Sequence, residues 1–361
     1  MRRFLVVLLL GLALAPPVLG QSVSVSASNN YKFARSYAQK GEWQKALPYL
    51  EKALAEEQNY VDAHFLKGLC HLALKQYEPA TAHLQKVIEK SPEFFPAYQY
   101  LGNVYLEQEK YAEAEAHFKR MLDVPGAGAT ARYSLGVVAY VRGDLQVAEE
   151  NFREATRLDA KMARAYANLG TVLQVQGKGR LALGSLQDAV RLEPGNPRYS
   201  LNLGLTYMDL DSLRDAEQAL KDASHKATTE QVDIGYAAQA GLAMLKKDYT
   251  TAAEMARKAR EANPQMTCAL LLEARALERL EKLPEAREAY RRALDSDKNL
   301  AEARKALERL PQPAAPEQPS SGGPATESSS PAAPATEPDS PAAPDTEPGQ
   351  SPPAPDPESG Q

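Results

Sequence analysis

Small and large residues return along this chain with a fixed step. Gly68, Gly102, Gly136, Gly170 and Gly204 stand 34 residues apart, and four of them follow a leucine: Leu101, Leu135, Leu169 and Leu203. Twelve residues beyond each glycine is an alanine (Ala80, Ala114, Ala148, Ala182, Ala216), and four further on is a large side chain (Leu84, Phe118, Phe152, Leu186, Leu220). Three after that the residue is mostly small (Val87, Met121, Ala155, Ala189, Ala223). A five-fold coincidence at constant spacing marks an internal repeat.

Within a unit the apolar positions fall at i, i+3, i+4 and i+7, as in Tyr98, Leu101, Gly102 and Tyr105. This is the stripe of an amphipathic helix. Turn residues such as Gly143-Asp144 or Lys110-Tyr111 follow, then a second helix carrying the small–large–small series. Pro92, Pro194 and Pro264 close units. Small residues let the paired helices approach, and large ones fill the space between them.

The pattern resembles the tetratricopeptide repeat family. Ala163–Asn196 matches best, with Tyr166, Leu169-Gly170, Leu173, Ala182, Leu186, Ala189 and Pro194 on the signature positions. The register gives repeats at 27–60, 61–94, 95–128, 129–162, 163–196, 197–230, 233–266 and 267–300, with a two-residue insertion in the loop Thr228–Val232. Residues 301–310 then form a capping helix. The resemblance implies an all-α, right-handed superhelical solenoid of about eight helix-turn-helix repeats, covering about three-quarters of the 361 residues. Lys67 takes a usually apolar position. The seventh unit is rich in alanine (Ala240, Ala252, Ala256, Ala259), which predicts a thinner, looser stack and a bend there.

The ends differ in character. Arg2 and Arg3, the apolar run Phe4–Leu14, Pro16-Pro17 and the small residues Val18 and Gly20 predict a Sec-type signal at 1–20, cleaved before Gln21, with a short linker at 21–26. Export to a bacterial periplasm or the exterior follows, with no membrane span after cleavage. Residues 311–361 hold fifteen prolines and eight acidic groups but no Lys or Arg, which predicts a disordered spacer. The overall charge of −5 therefore resides in the tail and leaves the preceding chain at +3. That near-neutral body gives no footprint for nucleic acid.

Chemistry is sparse. No phosphate loop, nucleophile elbow, metalloprotease helix or Cys-x-x-Cys is present, and the repeats use up the chain, so the sequence predicts neither an enzyme nor a cofactor. Cys70 and Cys268 are too far apart along a stack to bridge and read as free core residues. His64 and His71 share a face at helix-packing positions, where core packing outweighs a metal pair. His83 and His117 repeat one position on neighbouring second helices, where the two imidazoles can stack side by side; exposed polar positions are expected.

The resemblance also implies a concave groove lined by positions 2, 5, 9, 12 and 13 of each repeat. Those positions give Phe65, Leu69 and Leu72; Gln99, Asn103 and Leu106; Tyr133, Val137 and Tyr140; and Leu201, Leu205 and Met208. Asn168 and Asn202, with Ser134 one repeat earlier, occupy position 6, where an amide can hold a peptide backbone. Arg164 and Arg198 can add charge, although the Lys-Asn pattern of a basic clamp is missing. An apolar strip with interspersed amides suits an extended peptide or a helix. The expected role is an interaction scaffold of the envelope or secretion pathway. The alternatives are a subunit that regulates or presents substrate to an exported enzyme, and a pilus or secretion-system biogenesis factor.

Overall fold

The computed structural model describes residues 23–311. The predicted signal at 1–20, the start of the predicted linker and nearly all of the Pro-rich tail lie outside those residues. The chain divides into a unit ending at Pro313 and one beginning at Ala314, and the described residues belong to the first.

Among the described residues there are seventeen α-helices and no strand. They run as eight pairs and a final single helix. The pairs are α1 Val25–Gln39 with α2 Trp43–Glu56, α3 Val61–Ala73 with α4 Tyr77–Lys90, α5 Phe95–Glu107 with α6 Tyr111–Met121, and α7 Gly128–Arg142 with α8 Leu145–Leu158. Then follow α9 Ala163–Val175 with α10 Gly179–Leu192, α11 Pro197–Asp209 with α12 Leu213–Lys226, α13 Val232–Leu245 with α14 Tyr249–Ala262, and α15 Thr267–Arg279 with α16 Leu283–Ser296. The closing helix is α17, Ala301–Arg309. The two-residue insertion takes up a 3₁₀ turn, Thr229–Gln231, before α13.

The pairs of repeats two to six are each locked by the repeating glycine. A methyl group on Gly102 would lie 2.3 Å from the Phe118 ring, and one on Gly170 would lie 2.6 Å from Leu186. The second helix therefore brings its large residue onto bare backbone. The turn inside each pair repeats as well. Gly41, Lys75, Glu109, Gly143, Gly177, Asp211, Lys247 and Glu281 all have φ between 59° and 91°. The amide that follows each of them reaches back five residues, as in Lys110 N–H to the Tyr105 carbonyl and Asp144 N–H to the Ala139 carbonyl. This left-handed closure satisfies carbonyls that the helix end leaves open.

Repeat seven departs from the expectation of a loose joint. Ala240 stands where repeats two to six have glycine, opposite Ala256 where they have a large residue, and both are fully buried. Leu272 from α15 packs against the two alanines. Leu220 reaches in from the preceding repeat, so that a methyl on Gly241 would lie 2.9 Å from it. Small side chains here bring helices together instead of leaving a void. As a result α11, α13 and α15, the first helices of repeats six to eight, approach one another more closely than those of repeats one to five.

The two ends are finished differently. At the start, Asn29, Phe33 and Ser36 occupy the positions that in later repeats dock on a preceding helix, and Phe33 stays 57% exposed. At the other end α17 covers Tyr290 and Ala293 with Ala303, Ala306 and Leu310. The Arg287 guanidinium donates to the carbonyls of Leu307 and Leu310 at 2.7 and 2.8 Å, which fastens the cap.

Candidate functional site

The first helices of the pairs run side by side, so the same helical position recurs on neighbouring helices one repeat apart. Six of the expected groove residues sit partly open on this face: Gln99, Val137, Asn168, Asn202, Leu205 and Met208 are half-buried. Leu205 and Met208 pack against the buried cluster that includes Leu201, Leu220 and the α13 residues Ile234 and Ala237. Seven others are buried: Phe65, Leu69, Leu72, Asn103, Leu106, Tyr133 and Leu201. Phe65, for instance, is covered by the edges of Phe94 and Tyr100 at 5.0 and 5.6 Å between ring centroids. Phe65 is thus consumed by a ring at the end of its own repeat and by one from the next. Gln99, Asn103, Leu106, Tyr133 and Val137 line a cavity of about 10 Å³, room for one water molecule.

The polar part of the face is centred on Arg164. Its guanidinium stacks on the Tyr133 ring at 4.8 Å, and Asn168, one turn along the same helix, donates to the Tyr133 hydroxyl at 3.1 Å. Burial pushes the Tyr133 hydroxyl above its ordinary range, against the opposing pull of Arg164. Tyr100 and Tyr199 feel the same positive charge, and burial raises both of them. Arg164 and Arg198 are half-buried at equivalent positions, 34 residues apart, and neither forms an ion pair among the described residues. By contrast two buried glutamates are neutralised within the fold. Glu149 meets Lys178 and Arg153, each at 2.7 Å, and Glu273 meets Arg260 at 2.8 Å. The Asn202 side chain makes no hydrogen bond among the described residues, whereas its carbonyl accepts from Thr206 at 2.7 Å.

Tyr140 is placed differently from the expectation. Its hydroxyl donates to the carboxylate of Asp297, and its carbonyl accepts from the Asn299 side chain at 2.8 Å. These partners are 157 and 159 residues away, beyond α16. Burial first, and the Asp297 charge second, raise the Tyr140 hydroxyl well above its ordinary value. A second long tie links repeat six to repeat eight and the cap. Arg275 of α15 pairs with Asp209, at the end of α11, at 3.0 Å and with Glu302 of α17 at 2.5 Å.

The histidines form a second cluster that the repeat spacing did not reveal. His64 Nε2–H donates to the Gln58 carbonyl, so Nδ1 carries the lone pair and accepts from His83 Nδ1–H at 2.9 Å. His71 stacks on His83 with parallel rings 5.7 Å apart. His83 and His117 are half-buried, not exposed, and they do not stack on each other; His117 lies on Tyr105. Burial, reinforced by Lys67 and the neighbouring histidines, pushes His83 down to about 3. Among the described residues no group of three His, Cys, Asp or Glu is arranged to hold a metal ion. Cys70 and Cys268 are free, and burial raises their thiols to about 12 and about 11.

Family profiles described as tetratricopeptide repeat match residues 37–102, 101–163, 167–229 and 238–301. The chain belongs to the tetratricopeptide repeat family. Among solved structures this tetratricopeptide repeat protein is similar to one of the same kind from Parabacteroides merdae, at 12% identity over 70% of this chain and 100% of that one, with a TM-score of 0.54. It is also similar to a chain of the APC/C hetero-tetramer Cut9-Hcn1 (16% identity, 77% and 54% of the two chains, TM-score 0.53). A third likeness is to yeast Tom70 (16% identity, 81% and 66%, TM-score 0.52). At these identities the likeness is one of fold. No curated protein matches the chain. Among the described residues no helix is long and apolar enough to cross a membrane.

Proposed function

We propose that this repeat protein binds an extended segment of a partner protein along the first helices of repeats three to six, and that the segment carries an acidic side chain. The supporting observation is the Arg164 site: a half-buried guanidinium on a tyrosine face, beside Asn168 and without a carboxylate of its own. A partner's carboxylate would meet Arg164 and Arg198, the free Asn202 amide would pair with its backbone, and Val137, Leu205 and Met208 would take its apolar side chains. Tyrosine and arginine at the centre with amides around them is the composition of an interaction hot spot. The basic, apolar and small-residue pattern at 1–20 supports action outside the cytoplasm, as a non-catalytic scaffold of the cell envelope or secretion pathway.

A photo-crosslinking residue at Asn202 tests the groove. The expected result is one dominant adduct that disappears with Arg164→Gln while helicity is unchanged. An adduct that survives Arg164→Gln at full yield would sink the reading. Osmotic-shock fractionation tests the location, and recovery with the cytoplasmic marker would refute export.

A further inference from the structure

The contacts that join repeat eight to repeat four have a bearing on how a partner gains access to the face just described. In a stack of helix pairs each repeat ordinarily touches its neighbours. Here the loop Asp297–Asn299, at the end of α16, reaches α7 of repeat four. It holds Tyr140 by both the hydroxyl and the carbonyl. The loop is shaped for this contact. The Asp297 carboxylate accepts from the Asn299 backbone N–H at 2.9 Å, which holds the turn between them. Gly143, in the left-handed turn after α7, faces the Asn299 side-chain oxygen, and a methyl there would come within 3.3 Å of it. The Arg275 brace between Asp209 and Glu302 secures the same stretch from repeat six to the cap. Three separate local features therefore agree on one closed arrangement.

Tyr140 also lies on the face proposed above to receive a partner, one helical turn beyond Val137 and on the same helix as Tyr133. In the closed arrangement a carboxylate and a carboxamide of the chain itself occupy its polar atoms. That is the same pair of chemical groups the Arg164 and Asn202 region is suited to receive. We infer that the Asp297–Asn299 loop is an autoinhibitory latch, an internal stand-in for the ligand that covers the repeat-four end of the groove until the partner displaces it. This inference rests on the groove reading, and the test separates the two.

The experiment uses the full chain and the dye 8-anilinonaphthalene-1-sulfonate as a probe of exposed apolar groove. In Tyr140→Phe/Asn299→Ala both latch bonds are lost while the ring stays. Removing a hydrogen bond to a carboxylate shifts the open-to-closed ratio by roughly 10- to 100-fold. The expected result is increased dye binding and a larger radius of gyration by small-angle scattering, at unchanged helicity. A second variant guards against misfolding. Asp144→Cys and Lys298→Cys, with the native cysteines replaced by alanine, are joined by a short bis-maleimide. The linked form should bind less dye than the same protein unlinked. Equal dye binding by the linked and unlinked forms, or no change in Tyr140→Phe/Asn299→Ala, overturns the latch. If the crosslink at Asn202 still depends on Arg164 while the dye ignores both latch variants, the groove stands and the latch falls. If the dye responds but the crosslink does not depend on Arg164, it is the groove reading that fails.

Discussion

Replacing Gly102 by alanine probes the contact on which repeats two to six are built. The new methyl group would lie 2.3 and 2.5 Å from two carbons of the Phe118 ring, well inside van der Waals contact. The ring has little room to retreat, because it is fully buried among Leu106, Leu135 and Val138. Overpacking of this kind costs about 1–3 kcal/mol. Alanine also removes the helix penalty of glycine, a gain of about 1 kcal/mol. The clash is the closest of its set, so the net loss should be about 1–2 kcal/mol. Gly68→Ala is the internal control. Its methyl would meet Leu84 at 3.0 Å, a contact a leucine can yield to, and the two terms should nearly cancel. Urea unfolding followed by far-ultraviolet circular dichroism reads both, with the midpoint compared at constant slope because an array of repeats need not unfold in one step. Gly102→Ala as stable as the native chain, or less damaging than Gly68→Ala, would refute the packing argument.

Acid should loosen repeat two first. His83 is held down to about 3 against an ordinary 6.5 by burial and by Lys67, His64, His71 and Lys86, so between those values the unfolded chain takes up a proton that the folded chain refuses. Stability is therefore full above pH 6.5 and falls as the pH drops toward 3, by at most about 1.4 kcal/mol per unit and roughly half that for a half-buried group. His83→Gln should flatten this slope in pH-dependent unfolding, and an unchanged slope would count against it. The non-glycine residues in left-handed turns are strained, so Lys75→Gly, Glu109→Gly, Lys247→Gly and Glu281→Gly should each stabilise by about 0.5–1 kcal/mol, and Asp211→Gly by less, since aspartate tolerates that conformation. Thermal unfolding would show this, and a loss at all five sites would contradict it. Truncation after Leu300 should strip α17 from Tyr290 and Arg275. Hydrogen exchange is then expected to speed up in α15 and α16 before α1–α4, and equal protection throughout would rule out a structural role for the cap.

The repeating architecture was legible because it is local. The pairing of Gly102 with Phe118 lies within one unit, sixteen residues apart, and recurs at a constant step that survives as a pattern in the sequence. The seventh unit was legible as an exception, but its consequence was not. Ala256 announces a missing side chain without saying whether the gap stays open or the helices close over it. Leu220 and Leu272, from the units on either side, decide that it closes. The groove was half legible. Helical position says which way Phe65 points, but its burial depends on Phe94 at the far end of its own unit and on Tyr100 arriving from the next. Arg164 stands in the sequence as one more basic residue, and its setting on Tyr133 emerges only when position 2 of one repeat is laid beside position 5 of the one before. No spacing rule links Tyr140 to Asp297. Their meeting depends on the rotation accumulated over four repeats, a quantity set by many small packing choices.

The Tyr140 contacts change how tension would travel through the molecule. In an untied stack, a pull on the two ends passes through every repeat in series and stretches them all like the coils of a spring. Here the loop at Asp297–Asn299 short-circuits that path. A load entering near α17 would pass across the loop to α7 and bypass repeats five to eight, which would stay slack while repeats one to three lengthen. A force–extension trace should then show two regimes, a soft one from the first three repeats and a later, abrupt release when the tie to Tyr140 parts.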